Sequence, residues 1–255
     1  MPIIRPCILN INKPIGWTSR DILNKLQSLY GFKKFGHAGT LDPLASGVLI
    51  VLASDMTKKQ DYFMTLEKVY KTRIYFGIDS PTKDLEGPFT LDKNMFKLSI
   101  YEQQVTLYLE SLIGVHEQMV PFYSAVKVNG KELYKHARTG ADAPSLPIKE
   151  VELKKFIIND AHLAIKDAVP KDITEMLNTE TDYAKKLELI NKNFPFVELT
   201  LTTSKGFYVR ALARDMGAKF GTKAVMGSLI RESVGDYKVG DSLDISYFED
   251  TPDLV

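Results

Sequence analysis

Two segments of the chain alternate between apolar and polar positions, which predicts β-strands with one buried and one solvent-facing side. In residues 68–76 the apolar face holds Tyr70, Thr72, Ile74 and Phe76, and the other face holds Lys71, Arg73 and Tyr75. Residues 197–203 alternate in the same way. The continuous apolar run of residues 48–53 instead predicts a strand that is buried on both faces.

Helical periodicity follows Thr18, which has capping-box spacing to Asp21. The apolar positions of this helix are Ile22, Leu23, Leu26, Leu29 and Tyr30, and Gly31 is a typical end signal. A second capping box, Ser99 to Glu102, predicts an amphipathic helix that stops at Gly114.

Further short elements are predicted in the second half of the chain. The Asn129-Gly130 pair indicates a hairpin turn, and a short helix is expected over residues 133–138, ended by Gly140. Residues 207–220 suit another helix. The strands and helices follow no regular β-α-β rhythm, which favours an α+β fold over a doubly wound sheet.

Composition narrows the class of protein. The chain has 255 residues, 44% hydrophobic and 25% charged, which is typical of a globular protein with one large domain or two small ones. A single cysteine and four scattered histidines predict neither a disulfide framework nor a metal site. The chain shows no apolar run of about 20 residues and no signal peptide, so we expect a cytoplasmic protein.

One loop stands out for its chemistry. Residues 36–47 read GHAGTLDPLASG, in which three glycines and one proline surround a single acid, Asp42. Loops held by a rigid scaffold commonly carry catalytic groups. The spacing alone fits a plain turn or helix start at Asp42-Pro43 equally well.

Four segments, in the order expected along the chain, resemble the TruB family of pseudouridine synthases. They are residues 13–19 (KPIGWTS), 36–47, 121–138 (PFYSAVK at its start) and 203–210 (TSKGFYVR). The likeness extends over about residues 9–240. The resemblance implies a central mixed, mostly antiparallel sheet flanked by helices, with a long RNA-binding cleft. It also implies that residues 1–255 form one catalytic domain.

The family resemblance implies an isomerase that converts the T-loop uridine of tRNA (U55) to pseudouridine. The reaction breaks the C1′–N1 glycosidic bond, rotates the base and rejoins it through C5. It needs no cofactor or metal, and the T-arm of tRNA is the expected partner, without an obligate protein partner. The net charge of +1 neither favours nor excludes RNA binding.

The catalytic residues implied by the resemblance are Asp42, Tyr70 and Arg210. Asp42 supplies the carboxylate, and Arg210 keeps it ionised in a water-poor pocket. Tyr70 stacks on the target uracil. Taken alone, a strand tyrosine is more often a core residue. The alternative for Arg210 is a surface cation at a helix start, a place where the helix dipole disfavours positive charge.

Other implied residues contact or shape the bound RNA. His37 fills the space of the flipped nucleotide, and Leu229 packs beneath the base. Lys13 belongs to this group as a brace of the loop. The remaining members are Lys127, Lys205 and Tyr208. For Lys127, an ordinary basic surface is an equally good interpretation.

The sequence departs from the family pattern in several places. We expect no C-terminal PUA domain and an extra insertion over about residues 159–196. The RNA-gripping insertion, over about residues 115–150, is by contrast a feature of the family. The extra insertion is expected to form a surface helix and to help replace the PUA domain in tRNA binding. Asp84 falls at a loop acid of the family, but Ser80-Pro81 replaces a neighbouring threonine-aspartate pair.

Three other functions compete with this interpretation. A non-catalytic tRNA-binding or folding factor on the same scaffold is the main alternative, although it has no chemical need for Asp42. A guide-RNA-dependent synthase is disfavoured because such proteins normally carry a PUA domain, which we do not expect here. A glycoside hydrolase requires two carboxylates beside the scissile bond, and the loop offers one.

Overall fold

The computed structural model describes residues 6–32, 34–93, 100–139, 145–164 and 169–251. Residue contacts divide the chain into two units. Unit 1 comprises Met1–Lys71, Leu201–Lys205 and Ser228–Val255, and unit 2 comprises Thr72–Thr200 and Gly206–Gly227.

The strands within the described ranges are as follows in chain order: β1 (Cys7–Lys13), β2 (Phe35–His37), β3 (Ala45–Ala53), β4 (Lys68–Phe76), β5 (Ile78–Asp79), β6 (Thr90–Leu91), β7 (Gly114–Met119), β8 (Lys127–Val128), β9 (Lys131–Glu132), β10 (Ile148–His162), β11 (Phe196–Thr203), β12 (Ala224–Val234), β13 (Tyr237–Lys238) and β14 (Leu243–Asp244). Strands β4, β11 and β12 have residues in both units.

The helices of the same ranges are α1 (Ser19–Tyr30), α2 (Gln60–Thr65), α3 (Glu102–Ser111), α4 (Leu133–Arg138), α5 (Ile173–Thr179), α6 (Tyr183–Asn193), α7 (Val209–Lys219) and α8 (Ile245–Asp250). Short 3-10 helices occupy Ser54–Lys59 and Val239–Asp241. None of the described helices has the length and apolarity that a membrane-spanning helix needs.

Strand pairing makes the sheet mixed. In unit 1 the order is β14-β1-β3-β12-β4, with β2 also on β3 and β13 also on β12. The β1–β3, β2–β3 and β12–β13 pairs are antiparallel, whereas β1–β14 and β12–β3 are parallel. In unit 2 the order is β12-β4-β11-β10-β7, and β10–β7 is antiparallel. This confirms the predicted α+β class with a mostly antiparallel sheet.

The core of unit 1 forms around β3. Residues 47–53 of this strand are all buried, as their continuous apolar run predicts. Val48, Ile50 and Leu52 pack with Phe63 of α2 and Val234 of β12. Strand β3 is therefore a rigid base for the loop that precedes it.

Several local sequence signals are confirmed. Helix α1 begins after Thr18 with the predicted capping box to Asp21 and ends at Gly31, which has φ of 60°. The Asn129-Gly130 pair joins β8 to β9 in a two-residue hairpin, and both residues have positive φ. Helices α4 and α7 lie where they were predicted, although Gly140 lies outside the described residues.

The predicted start of α3 is wrong by two residues. The helix begins at Glu102, and the main-chain N–H of Tyr101 donates to the side chain of Gln104 at 3.0 Å. Ser99, the predicted cap, lies outside the described residues. The helix ends at Ser111 because β7 begins at Gly114.

Strand β4 follows the predicted alternation except at Tyr75, which is fully buried rather than solvent-facing. Its ring lies against Phe196, and its hydroxyl group bonds to Asn191 of α6. A Cβ atom on Gly227 would come within 2.0 Å of the same ring, so the absence of a side chain there makes room for it. The solvent-facing side predicted for this end of β4 is covered by other elements.

The expectation of a surface helix within residues 159–196 needs correction. Residues 159–162 belong to β10, residues 165–168 lie outside the described ranges, and two helices follow. Helix α6 has Asp182 as its N-cap, but Ile173 and Leu177 of α5 and Ile190 of α6 are fully buried. The insertion therefore contributes to the core of unit 2.

Candidate active site

The loop that carries Asp42 joins β2 to β3 in unit 1, and two of its glycines are required by its geometry. Gly39 and Gly47 have φ of 99° and 97°, a region that side chains disfavour. A Cβ atom on Gly47 would also lie 2.3 Å from the carbonyl oxygen of Arg231. The family-like glycine spacing thus reflects a tightly packed backbone.

Main-chain atoms on both sides of Asp42 are anchored by the first part of the chain. The buried hydroxyl of Ser19, at the start of α1, accepts from Leu41 N–H at 2.9 Å and donates to Leu41 O at 3.3 Å. The Pro43 carbonyl accepts from Gly16 N–H at 2.9 Å and from Lys13 Nζ at 3.3 Å. Asp42 itself is half-buried and lies between two fixed residues.

Lys13 stabilises the loop through hydrogen bonds to main-chain carbonyls, as the resemblance implies. Its ammonium group is fully buried and also donates to the carbonyls of Pro14 at 2.8 Å and Trp17 at 2.6 Å. A buried ammonium is tolerated when carbonyl oxygens replace its water shell. Lys13 thereby joins the KPIGWTS segment to the turn after Asp42.

Leu229 lies beside this turn. It is 7% exposed and pairs with Ala45 in the parallel β12–β3 ladder, while Ala45 N–H donates to the carbonyl of Asp42 at 3.0 Å. The apolar residue that the resemblance places beneath the base is therefore one ladder step from the loop. Its contact with a uracil stays a prediction.

His37 ends β2, at the entrance to the loop. Burial, with the nearby charges of Arg231 and Arg20, lowers the pKa of His37 to about 4, so its ring is neutral near pH 7. Among the described residues, its Nδ1 atom is buried without a hydrogen-bond partner. A neutral ring is suited to lie against a nucleobase, as the resemblance implies.

Tyr70 lies on β4 and is 9% exposed, on the same face as Lys68. Burial lowers the pKa of Lys68 to about 8, with smaller effects from the charges of Arg231 and Lys205. Lys68 Nζ donates to the carbonyls of Met64 at 2.6 Å and of Leu66, which fixes the start of β4. Lys205 is exposed in the turn after β11.

Arg210 lies in unit 2, in the first turn of α7, and is 5% exposed. Its guanidinium donates to the carbonyls of Thr82 at 3.0 Å and Tyr123 at 2.8 Å, and Nε lies 3.7 Å from Asp84 Oδ2. The interpretation of Arg210 as a surface cation is therefore wrong. Its pairing with Asp42 stays a prediction.

Asp84 is buried and strongly held in its loop. Its Oδ1 atom accepts from the Thr82 hydroxyl at 2.6 Å and from Glu86 N–H at 3.0 Å. The Ser80 hydroxyl donates to the Asp84 carbonyl at 2.6 Å. The loop thus remains ordered around Asp84 although Ser80-Pro81 departs from the family pattern.

Gln118 on β7 is a further part of this arrangement that the sequence did not indicate. Its buried carboxamide accepts from Tyr208 N–H at 2.8 Å and donates to Tyr208 O at 3.1 Å. Tyr208 caps the N-terminus of α7, and Arg210 follows two residues later. Gln118 therefore fixes the backbone from which Arg210 projects.

Gln118→Met is expected to lower the free energy of unfolding by about 2 kcal/mol, since the two hydrogen bonds between the Gln118 carboxamide and the Tyr208 main chain are lost. Gln104→Met is the matched control because Gln104 makes a single capping bond at an exposed helix start. Urea unfolding of both variants measures the difference. Equal urea midpoints for the two variants would contradict the role of Gln118 in fixing the backbone before Arg210.

Lys127 is exposed on β8, in the short β8–β9 hairpin that precedes α4. Two further positively charged side chains, Lys135 and Arg138, lie on α4. Both are placed over the ring of Tyr134. This surface is available to a polyanion, and its contact with RNA stays a prediction.

Comparisons with known proteins give the family of the chain. The family described as "TruB family pseudouridylate synthase (N terminal domain)" matches residues 27–171. A protein called tRNA pseudouridine synthase B from Clostridium kluyveri is 34% identical over 242 residues, covering 95% of this chain and 72% of that protein. The chain belongs to the TruB family.

Other TruB relatives and solved structures extend the comparison. A tRNA pseudouridine synthase B from Bacillus licheniformis is 37% identical over 97% of this chain and 70% of its own length. The solved Cbf5-Nop10-Gar1 complex contains a similar fold, with a TM-score of 0.62 at 18% identity. This chain covers 56% of that structure's chain. Because the sequence identity is low, the likeness concerns the fold alone.

Proposed function

We propose that this TruB-family chain isomerises uridine to pseudouridine in tRNA and that the T-loop uridine is its target. The observation that carries the proposal is the anchored loop that presents Asp42, in a chain whose curated relatives are called tRNA pseudouridine synthase B. A protein that only binds tRNA has no chemical need for a fixed carboxylate. The binding-factor alternative is therefore disfavoured.

Asp42 supplies the carboxylate that assists cleavage of the C1′–N1 bond. Attack on the base, attack on C1′ and abstraction of a ribose proton all require this group at a fixed distance from the sugar. Hydrogen bonds to Leu41 and Pro43 provide that fixed position. The anchored loop therefore supports Asp42 as the catalytic residue for each of these routes.

The target uridine leaves its stack before the reaction, at a cost of about a few kcal/mol. Stacking on an aromatic ring returns about 1–3 kcal/mol per base, and Tyr70 is the residue we assign to this role. His37, neutral near pH 7, fills the space left by the flipped nucleotide. Leu229, one ladder step from the loop, packs against the base.

Arg210 is assigned the role of the cation that acts with the Asp42 carboxylate at the reaction centre. The interactions with Thr82, Tyr123 and Asp84 hold the guanidinium in one orientation, which a catalytic charge requires and a solvated surface arginine lacks.

The T-arm is expected to bind the positively charged surfaces of both units. Lys127 and Lys205 are exposed, and long cations of this kind bind phosphates without reading sequence. We propose that the chain acts on tRNA in the cytoplasm, without a protein or guide RNA partner. The role of residues 159–196 in tRNA binding stays a prediction.

A direct test measures tritium release from an unmodified tRNA transcript labelled at C5 of uridine, because the new glycosidic bond displaces the C5 hydrogen. We expect one equivalent of tritium per tRNA with the purified chain alone. A transcript with cytidine in place of the T-loop uridine should release none. Tight binding without release would instead support the binding-factor alternative.

A further inference from the structure

Arg231 is buried within unit 1, yet neither the loop pattern nor the proposed reaction assigns it a role. It is 1% exposed and is the largest fully buried side chain among the described residues. A charged group in such a position is costly unless its donors are satisfied. Its hydrogen-bond partners therefore indicate what the charge does.

Those partners are carbonyl oxygens on both sides of Asp42. Nη2 donates to Gly39 at 3.0 Å and Nη1 lies 3.4 Å from the Thr40 carbonyl, both before the acid. Nε donates to Val48 at 2.7 Å, after the acid. The planar guanidinium, with donors in a fixed fork, thus connects the two arms of one loop.

The backbone of Arg231 reinforces this connection. Arg231 pairs with Gly47 in the parallel β12–β3 ladder, and the close approach of its carbonyl explains why Gly47 has no side chain. Main chain and side chain of one residue therefore contact the loop at residues 39, 40, 47 and 48. Since Asp42 lies between these contacts, any change in their separation moves the carboxylate.

We propose that Arg231 is a positioning residue, whose guanidinium joins the two arms of the Asp42 loop and so fixes the carboxylate for catalysis. The kinetic part of this proposal rests on the proposed function. The structural part, immobilisation of residues 39–48, does not.

The charge of Arg231 has a second, separable effect. Together with burial and Arg20 it keeps the ring of His37 neutral. Arg231→Lys retains a positive charge but offers a single ammonium group, which cannot reach both arms in a fork. Arg231→Met removes both the fork and the charge. The two variants therefore separate positioning from electrostatics.

The test compares Arg231→Lys, Arg231→Met and the control Arg73→Met. Arg73 is a partly buried arginine in unit 2, and the residues to which it bonds, Asn191 and Glu198, belong to the same unit. We expect kcat to fall at least about tenfold in both Arg231 variants, with less than threefold change in KM, and to stay unchanged in Arg73→Met.

Two further readouts do not depend on activity. Amide hydrogen exchange of Leu41 and Ala45 should accelerate in both Arg231 variants relative to wild type. The pKa of His37, followed by NMR, should rise in Arg231→Met and stay low in Arg231→Lys. If Arg231→Met does not fold, Arg231→Lys decides the question.

Wild-type kcat together with wild-type exchange in Arg231→Lys would overturn the proposal. A fall in kcat that merely follows a loss of folded protein in all three variants would also overturn it. An inactive wild type with accelerated loop exchange in Arg231→Lys would refute the proposed function and keep the structural role of Arg231.

Discussion

Asp42→Asn is expected to lower the single-turnover rate of pseudouridine formation at least about a thousandfold, equal to about 4 kcal/mol of transition-state stabilisation. The amide has nearly the same shape as the carboxylate, so the loop should keep its anchors to Ser19, Lys13 and Gly16. tRNA affinity, measured by filter binding, should change less than threefold. The variant therefore isolates the chemical step.

Asp55→Asn is the matched control for this change. Asp55 is an exposed acid of the same unit, paired with Lys34 and Lys58. The same chemical substitution there should leave the rate within about twofold of wild type, because Asp55 is exposed, lies outside the Asp42 loop and makes only surface ion pairs, which contribute little to stability. Equal rates for Asp42→Asn and wild type would mean that Asp42 only shapes a turn.

Arg210→Met is expected to give the second large effect, on stability as well as on rate. It leaves the Asp84 carboxylate buried without its arginine, which costs about 3–5 kcal/mol of unfolding free energy. The rate should fall about a hundredfold or more, because a guanidinium fixed by three neighbours is lost. Urea unfolding and single-turnover kinetics measure the two effects separately.

The double variant Arg210→Met with Asp84→Asn separates folding from catalysis. Asp84→Asn removes the buried negative charge that Arg210→Met leaves without its arginine, so much of the lost stability should return. The rate should stay low, because no cation has been restored. A rate that recovers together with stability would show that Arg210 serves only the fold.

Local signals in the sequence predict much of the fold. The Thr18-Asp21 capping box, Gly31 and the Asn129-Gly130 turn each act within a few residues, and each produced the expected element. The Asp42 loop was also identifiable, because two of its glycines, Gly39 and Gly47, have backbone conformations that only glycine adopts readily. These features need no knowledge of distant contacts.

The features that were missed depend on residues far apart in the chain. Tyr75 is buried because Asn191 bonds to its hydroxyl group from 116 residues away. Gln118 contacts Tyr208 across 90 residues, and Arg231 reaches Gly39 across 192. Periodicity cannot reveal such partners, since a buried glutamine or arginine has the same sequence pattern as an exposed one.

Site-resolved chemical mapping of pseudouridine in unmodified tRNA, after incubation with wild type or with Asp42→Asn, shows whether the protein isomerises the T-loop uridine through Asp42. We expect one new pseudouridine in the T-loop with wild type and none with the variant, at equal occupancy of the tRNA. The absence of any pseudouridine with wild type bound to tRNA, or equal formation by both proteins, would contradict this expectation.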